Sequence, residues 1–114
     1  MARAATTTDV FNAIAEPKRR EIIELLARRG ALAVGALVLA MGLPQPAISK
    51  HLSVLRKVGV VLVDQEGRQR MYRLDAQQLK TVFDWAKSFE QLWAHQLDRI
   101  KQRAEQMQRA AKQK

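Results

Sequence analysis

Gln45, Ser49, Lys50, Ser53 and Arg56 fall about one helical turn apart, interleaved with Ile48, Leu52 and Leu55 at i, i+4 and i+7. On a helix of period 3.6 the two sets occupy opposite sides, so burial of the apolar stripe turns the amide, hydroxyl and cationic side chains outward. Gln45 and Ser49, at the helix start, can reach the edges of bases, and glutamine can pair bidentately with adenine N6 and N7. Lys50 and Arg56 are better suited to phosphate. His51, beside Lys50, reads as a phosphate contact or as a packed edge residue. Pro46 loses nothing in the first turn, where a backbone N–H has no internal partner, and the helix start adds partial positive charge.

Other chemistry finds little support. The chain has no cysteine, which removes disulfides, thiol redox chemistry, cysteine nucleophiles and zinc-finger ligation together. Ser49 and His51 are two residues apart and do not face each other on a helix, so they make no nucleophile and base pair. There is no Gly-rich phosphate loop and no carboxylate pair in an apolar setting. His95 and Asp98 share a helical face that could suit zinc, but four ligands cannot be assembled around them, and they read as a solvated polar face. No catalytic residue, metal site or cofactor is expected.

The whole chain of 114 residues carries 20 Lys and Arg against 11 Asp and Glu, a formal charge of +9. That balance favours a polyanionic partner, with nucleic acid first. The longest apolar run, Ala36 to Met41, is far short of the roughly 20 residues of a membrane span. The N-terminal stretch lacks the apolar core of a secretory signal. The expectation is one domain over residues 1–114, cytoplasmic and nucleoid-associated, with no membrane partner.

The elements that must hold the polar set follow from periodicity and punctuation. Thr7 or Thr8 can cap a short helix carrying Val10, Phe11 and Ile14, and Glu16-Pro17 ends it and starts another. Residues 18–29 form the second helix, with Ile22, Ile23, Leu25 and Leu26 inward and Gly30 as its stop. Val34 to Met41, Gly42, then Gln45 to Val58 read as helix, tight turn, helix. Two β-branched segments, Val60 to Asp64 and Arg70 to Leu74, flank Gln65 to Gln69 as a hairpin. Residues 75–109 contain no Gly or Pro, and Leu79, Val82, Ala86, Phe89, Trp93 and Leu97 recur at spacings of three and four, which predicts one long amphipathic helix. Trp85, Phe89 and Trp93 form an aromatic stripe on it, read as core or as a seam between two copies.

The fold class is therefore mainly α with a small β-hairpin (α+β). The helix, turn, helix unit fits a B-DNA major groove about 12 Å wide. The hairpin would act as a wing, bringing Arg68 at its tip and Arg70 on its second strand to the minor groove or to phosphate.

Three segments, Ala15-Glu16-Pro17-Lys18-Arg19-Arg20-Glu21-Ile22, Leu43-Pro44-Gln45-Pro46-Ala47-Ile48-Ser49-Lys50-His51-Leu52 and Glu66-Gly67-Arg68-Gln69-Arg70-Met71-Tyr72-Arg73-Leu74, resemble the ArsR-type winged helix-turn-helix repressors in order and spacing. The resemblance covers roughly residues 10–97. It implies a bacterial homodimer that blocks its own or a neighbouring promoter, with Gln45, Pro46, Ser49 and Lys50 at the DNA-facing positions. It also implies dimerisation through the terminal helices, here Val10, Phe11, Ile14, Leu79, Val82, Ala86, Phe89, Trp93 and Leu97. The chain departs from the pattern at Pro44, where a capping Ser is common, and at Glu16, where Asp is usual. The family's cysteine motif is missing from residues 34–41. Of its second metal site on the terminal helices only Asp84, His95 and Asp98 have partial counterparts, with Ala86 at a ligand position. Two-fold symmetry implies an imperfect palindrome with half-sites about 34 to 36 Å apart. The competing reading is a protein-interaction or anionic-surface module that docks through the long C-terminal helix.

Overall fold

The computed structural model describes residues 9–112. In chain order it contains α1 (Val10–Ala15), α2 (Pro17–Arg29), α3 (Val34–Met41), α4 (Gln45–Lys57), β1 (Val61–Glu66), β2 (Gln69–Leu74), a 3-10 turn (Ala76–Leu79), α5 (Lys80–Lys87) and α6 (Glu90–Lys112). Thr7 and Thr8, the expected caps of α1, lie outside the described residues. Asp9 caps α1, its carboxylate accepting the Phe11 N–H at 2.9 Å.

Glu16 has extended backbone and ends α1, and its carboxylate accepts the Lys18 N–H at 3.1 Å as the cap of α2, with Pro17 in the first turn. Glutamate thus fills the capping role here. A helix of six residues leaves its last four carbonyls without partners inside it. Two guanidinium groups from α2 take them up. Arg20 donates to Ile14 O at 2.7 Å and Ala15 O at 3.1 Å, while Arg19 donates to Ala13 O and, at 3.4 Å, to Asn12 O.

α3 ends on Gly42 in the left-handed region (φ 66°), where a side chain would be strained, and the Gly42 N–H closes on Val38 O at 2.9 Å. That reversal delivers the chain to α4 within three residues. Ile48, Leu52 and Leu55 of α4 are buried with Ala13, Ile22, Leu25, Leu26, Leu37, Val60, Val61 and Tyr72. The stripe read from sequence is the stripe that packs.

β1 and β2 pair antiparallel from Val61↔Leu74 to Glu66↔Gln69. The five-residue loop expected at 65–69 shrinks to Gly67-Arg68, because the ladder extends to Glu66 and Gln69 and Gly67 supplies a positive φ of 63°. One isolated bridge joins the hairpin to the segment before α3. Leu32, between α2 and α3, exchanges both backbone hydrogen bonds with Tyr72, at 2.9 and 2.8 Å, which fixes the hairpin to the helical core.

The single helix expected over 75–109 is instead three segments, and the last continues to Lys112. Asp75 caps only the 3-10 turn, through the Gln77 N–H at 3.1 Å. Between α5 and α6 the Ser88 hydroxyl donates to Trp85 O at 2.6 Å, and the Phe89 N–H bonds Ala86 O at 3.1 Å. A serine that bonds its own backbone three residues back competes with the helical ladder, and the i−3 pattern tightens the turn and interrupts it. The chain divides between Val82 and Phe83 into two compact units. In the C-terminal one Trp85 and Phe89 meet edge to face at 5.4 Å, and the Lys87 ammonium lies 5.7 Å from the Phe83 ring centroid.

Leu52 is 1% exposed, so Leu52→Ala should lower unfolding free energy by about 2–5 kcal/mol. Urea denaturation followed by circular dichroism should show a reduced midpoint with unchanged slope.

Candidate nucleic-acid interface

Gln45, Pro46, Ser49, Lys50, Ser53 and Arg56 are all exposed on α4, as the burial of its opposite side requires. Arg68 and Arg70 are exposed on the hairpin. A cleft of about 350 Å³ brings part of this set together: Gln45 and Ser49 from α4 face Gln69, Arg70 and Tyr72 from β2, with Ala33, Val34 and Gly35 closing it. The Arg70 guanidinium lies 5.9 Å from the Tyr72 ring centroid, within the range of a cation–π attraction. Lys50, Ser53, Arg56 and Arg68 do not line this cleft.

Gln69, Tyr72 and the start of α3 have no part in the site expected from the sequence. The Leu32 to Tyr72 bridge that brings them to α4 joins segments 40 residues apart, and no local pattern signals it. Gln69 was open to detection as a polar residue flanked by Arg68 and Arg70. Neither α3 nor α4 has a side-chain cap, Ala33 and Pro44 making no such bond. Their first-turn N–H groups therefore add uncompensated positive potential, which favours an anion.

His51 is placed apart from the outward set. It is half-buried, and its Nδ1 lies 3.5 Å from Nη1 of Arg19. Its pKa is lowered below 6.5 by burial first, then by the Arg19 and Lys50 charges, with Glu16 opposing. His51 is thus packed beside Arg19 through Nδ1 at the edge of the exposed face.

Asp84 stands on α5 and His95 and Asp98 on α6, where Asp98 accepts from Gln102 at 3.3 Å. Among the described residues no group of three or more His, Cys, Asp or Glu could hold a metal ion. No described helix is long and apolar enough to cross a membrane.

Of the apolar residues expected between two copies, Val10 and Leu79 pack partly against the core. Phe11, Ile14, Val82 and Ala86 are half-buried. Phe89, Trp93 and Leu97 are 39%, 46% and 65% exposed, beside exposed Phe83, Trp85, Leu92, Ile100 and Met107. An exposed apolar series of this length marks an interaction surface.

Residues 16–62, which hold α2 through α4 and the start of the hairpin, match the model of bacterial regulatory proteins of the arsR family. The chain is 32% identical over 82 residues to an uncharacterised HTH-type transcriptional regulator of Methanocaldococcus jannaschii, covering 72% of this chain and 92% of that protein. It belongs to the ArsR family. The transcriptional repressor SdpR of Bacillus subtilis is 31% identical over 81 residues, covering 71% of this chain and 89% of the repressor. Among solved structures, an ArsR-like transcriptional regulator from Rhodococcus sp. RHA1 superposes with a TM-score of 0.68 at 29% identity, covering 88% of this chain and 90% of that one. This ArsR-family chain is a DNA-binding transcriptional regulator with a winged helix-turn-helix fold, and it lacks the cysteines of the family's α3 metal motif. The competing reading as a docking module is not favoured by these similarities.

Because the folded form holds His51 at the lower pKa, the unfolded chain binds the extra proton. Stability should therefore fall as pH drops through about 6.5. Thermal melts of the native chain and of His51→Gln between pH 7.5 and 5.5 should show a shallower loss in the variant.

Proposed function

We propose that a dimer of this chain represses transcription from its own or a neighbouring promoter by setting α4 of each copy into successive major grooves of an imperfect palindrome. The observation that carries the reading is the two-sided α4, whose polar face meets the wing at the cleft shared by Gln45, Ser49 and Arg70. Gln45 and Ser49 read base edges. Lys50 and Arg56 neutralise phosphates, and Ser53 and Pro46 lie along the same face. Arg70 enters beside them from the wing, and Arg68 at the hairpin tip reaches the flanking backbone or minor groove. A second copy covers the outer side of α1 and the exposed aromatic series of α5 and α6. The site of action is the bacterial nucleoid.

Two copies carry twice +9, or +18. If about six to ten phosphates are neutralised, affinity should drop about 10³ to 10⁵-fold between 50 and 200 mM salt. Fluorescence anisotropy on a duplex selected by the protein from random-sequence DNA, and on a scrambled duplex, tests the assignment. Gln45→Ala should lose about 10 to 100-fold on the selected duplex and little on the scrambled one, and Lys50→Ala should weaken both. Equal losses for Gln45→Ala on both duplexes would contradict its role.

Trp93→Ala should shift the chain toward monomer in sedimentation equilibrium and weaken operator binding in parallel, since truncating a central aromatic removes a dominant interface contact. An unaltered association constant would place the interface elsewhere.

A further inference from the structure

Arg19 holds two elements with one side chain. Its guanidinium donates to the carbonyls of Ala13 and Asn12 at the end of α1, and its Nη1 lies 3.5 Å from Nδ1 of His51 on α4. Arginine has no acceptor, so the bond to His51 exists only when Nδ1 keeps its lone pair and the ring proton sits on Nε2. His51 is half-buried, and it lies on α4 between Lys50 and the buried Leu52, one turn beyond Ala47. The charged groups around the ring are Arg19 of α2, Glu16 at the α2 cap and Lys50 of α4 itself.

We infer that Arg19 is a positioning residue for DNA reading, a clamp that sets the angle of α4 against α1 through neutral His51. The inference rests on the proposed use of α4 in the major groove. The buried stripe of Ile48, Leu52 and Leu55 fixes which face of α4 points out, but apolar packing has no directional preference and permits small rotations. A forked donor held by two α1 carbonyls and one ring nitrogen restricts them. α1 also carries Phe11 and Ile14, half-buried residues of the proposed contact with a second copy. The clamp thereby ties the orientation of each recognition helix to an element of the proposed contact with a second copy. Protonation of Nδ1 replaces the acceptor with a second cation facing Arg19 and Lys50, and the clamp opens.

This has a sign that general electrostatics opposes. Acidification adds positive charge and ordinarily tightens binding to DNA, whereas opening of the clamp weakens reading of the specific duplex.

The test measures binding of the full chain to a duplex it has selected from random-sequence DNA, and to a scrambled duplex, at constant salt from pH 7.5 to 5.5. Native protein should lose at least 5-fold on the selected duplex across that range while the scrambled duplex is unchanged or bound more tightly. His51→Gln, whose amide oxygen still accepts but does not titrate, should flatten the loss. Arg19→Lys, which keeps the charge without the fork, should lose at least 5-fold on the selected duplex at pH 7.5 and little on the scrambled one. Combining Arg19→Lys with His51→Phe should add nothing beyond the larger single effect. A ¹⁵N NMR titration of the native protein should find neutral His51 protonated on Nε2 at pH 7.5. Native binding that strengthens on the selected duplex with acidification, a ring protonated on Nδ1 in the neutral form, or Arg19→Lys losses equal on both duplexes each overturn the clamp and leave the DNA reading standing. Failure of the native chain to select any duplex overturns the DNA reading, and the clamp with it.

Discussion

The burial of Ile48, Leu52 and Leu55 is the constraint from which the interface follows. Each fully buried aliphatic side chain contributes about 1.5–3 kcal/mol, so the three together contribute about 5–9 kcal/mol, on the scale of a small domain's whole stability. Turning α4 to present another face would expose them, and no hydrogen bond on the polar side, at about 0.5–1.5 kcal/mol net, could compensate. Gln45, Ser49, Lys50, Ser53 and Arg56 point outward because the opposite face has only one place to go. Hydrophobic patterning thus determines which groups are offered to a ligand.

What surrounds α4 supplies direction and charge. The Leu32 to Tyr72 bridge pins the wing to the loop before α3, so Arg70 stands across a cleft from Gln45 and Ser49 rather than on a free hairpin. The uncapped starts of α3 and α4 leave partial positive charge at the cleft that Arg70 also lines. Arg19 and Arg20 satisfy the four carbonyls that a six-residue helix cannot satisfy for itself. That arrangement explains why a helix too short to persist alone is held in place, and why the Arg19-Arg20 pair sits so soon after Pro17. Among the family's features, Glu16 keeps the capping function with a longer side chain, whereas Pro44 gives it up and relies on fixed φ.

The order of elements and the face of α4 were legible because they depend on local period and on Gly and Pro. Gly30 and Gly42 end α2 and α3 where expected, and Pro17 opens α2. Features that depend on one atom's choice among competing partners were not. Ser88 lies in a pattern that is helical by every apolar residue around it, yet its hydroxyl and the i−3 bond of Phe89 divide the helix. Asp9 caps α1, and the hairpin ladder extends two residues past its β-branched stretch because Glu66 and Gln69 pair. The approach of His51 to Arg19, 32 residues away, and of Gln69 and Tyr72 to Gln45 are tertiary, and a single sequence carries no periodic signal for them.

Whether the polar face of α4 is the surface that touches DNA is examined most directly by chemical-shift mapping of ¹⁵N-labelled protein titrated with its selected duplex. The largest changes should fall at Gln45, Ser49, Lys50 and Ser53, with Gln69 and Arg70 following on the wing. Changes concentrated on α6, from Trp93 to Met107, with α4 unmoved, would contradict that role for α4.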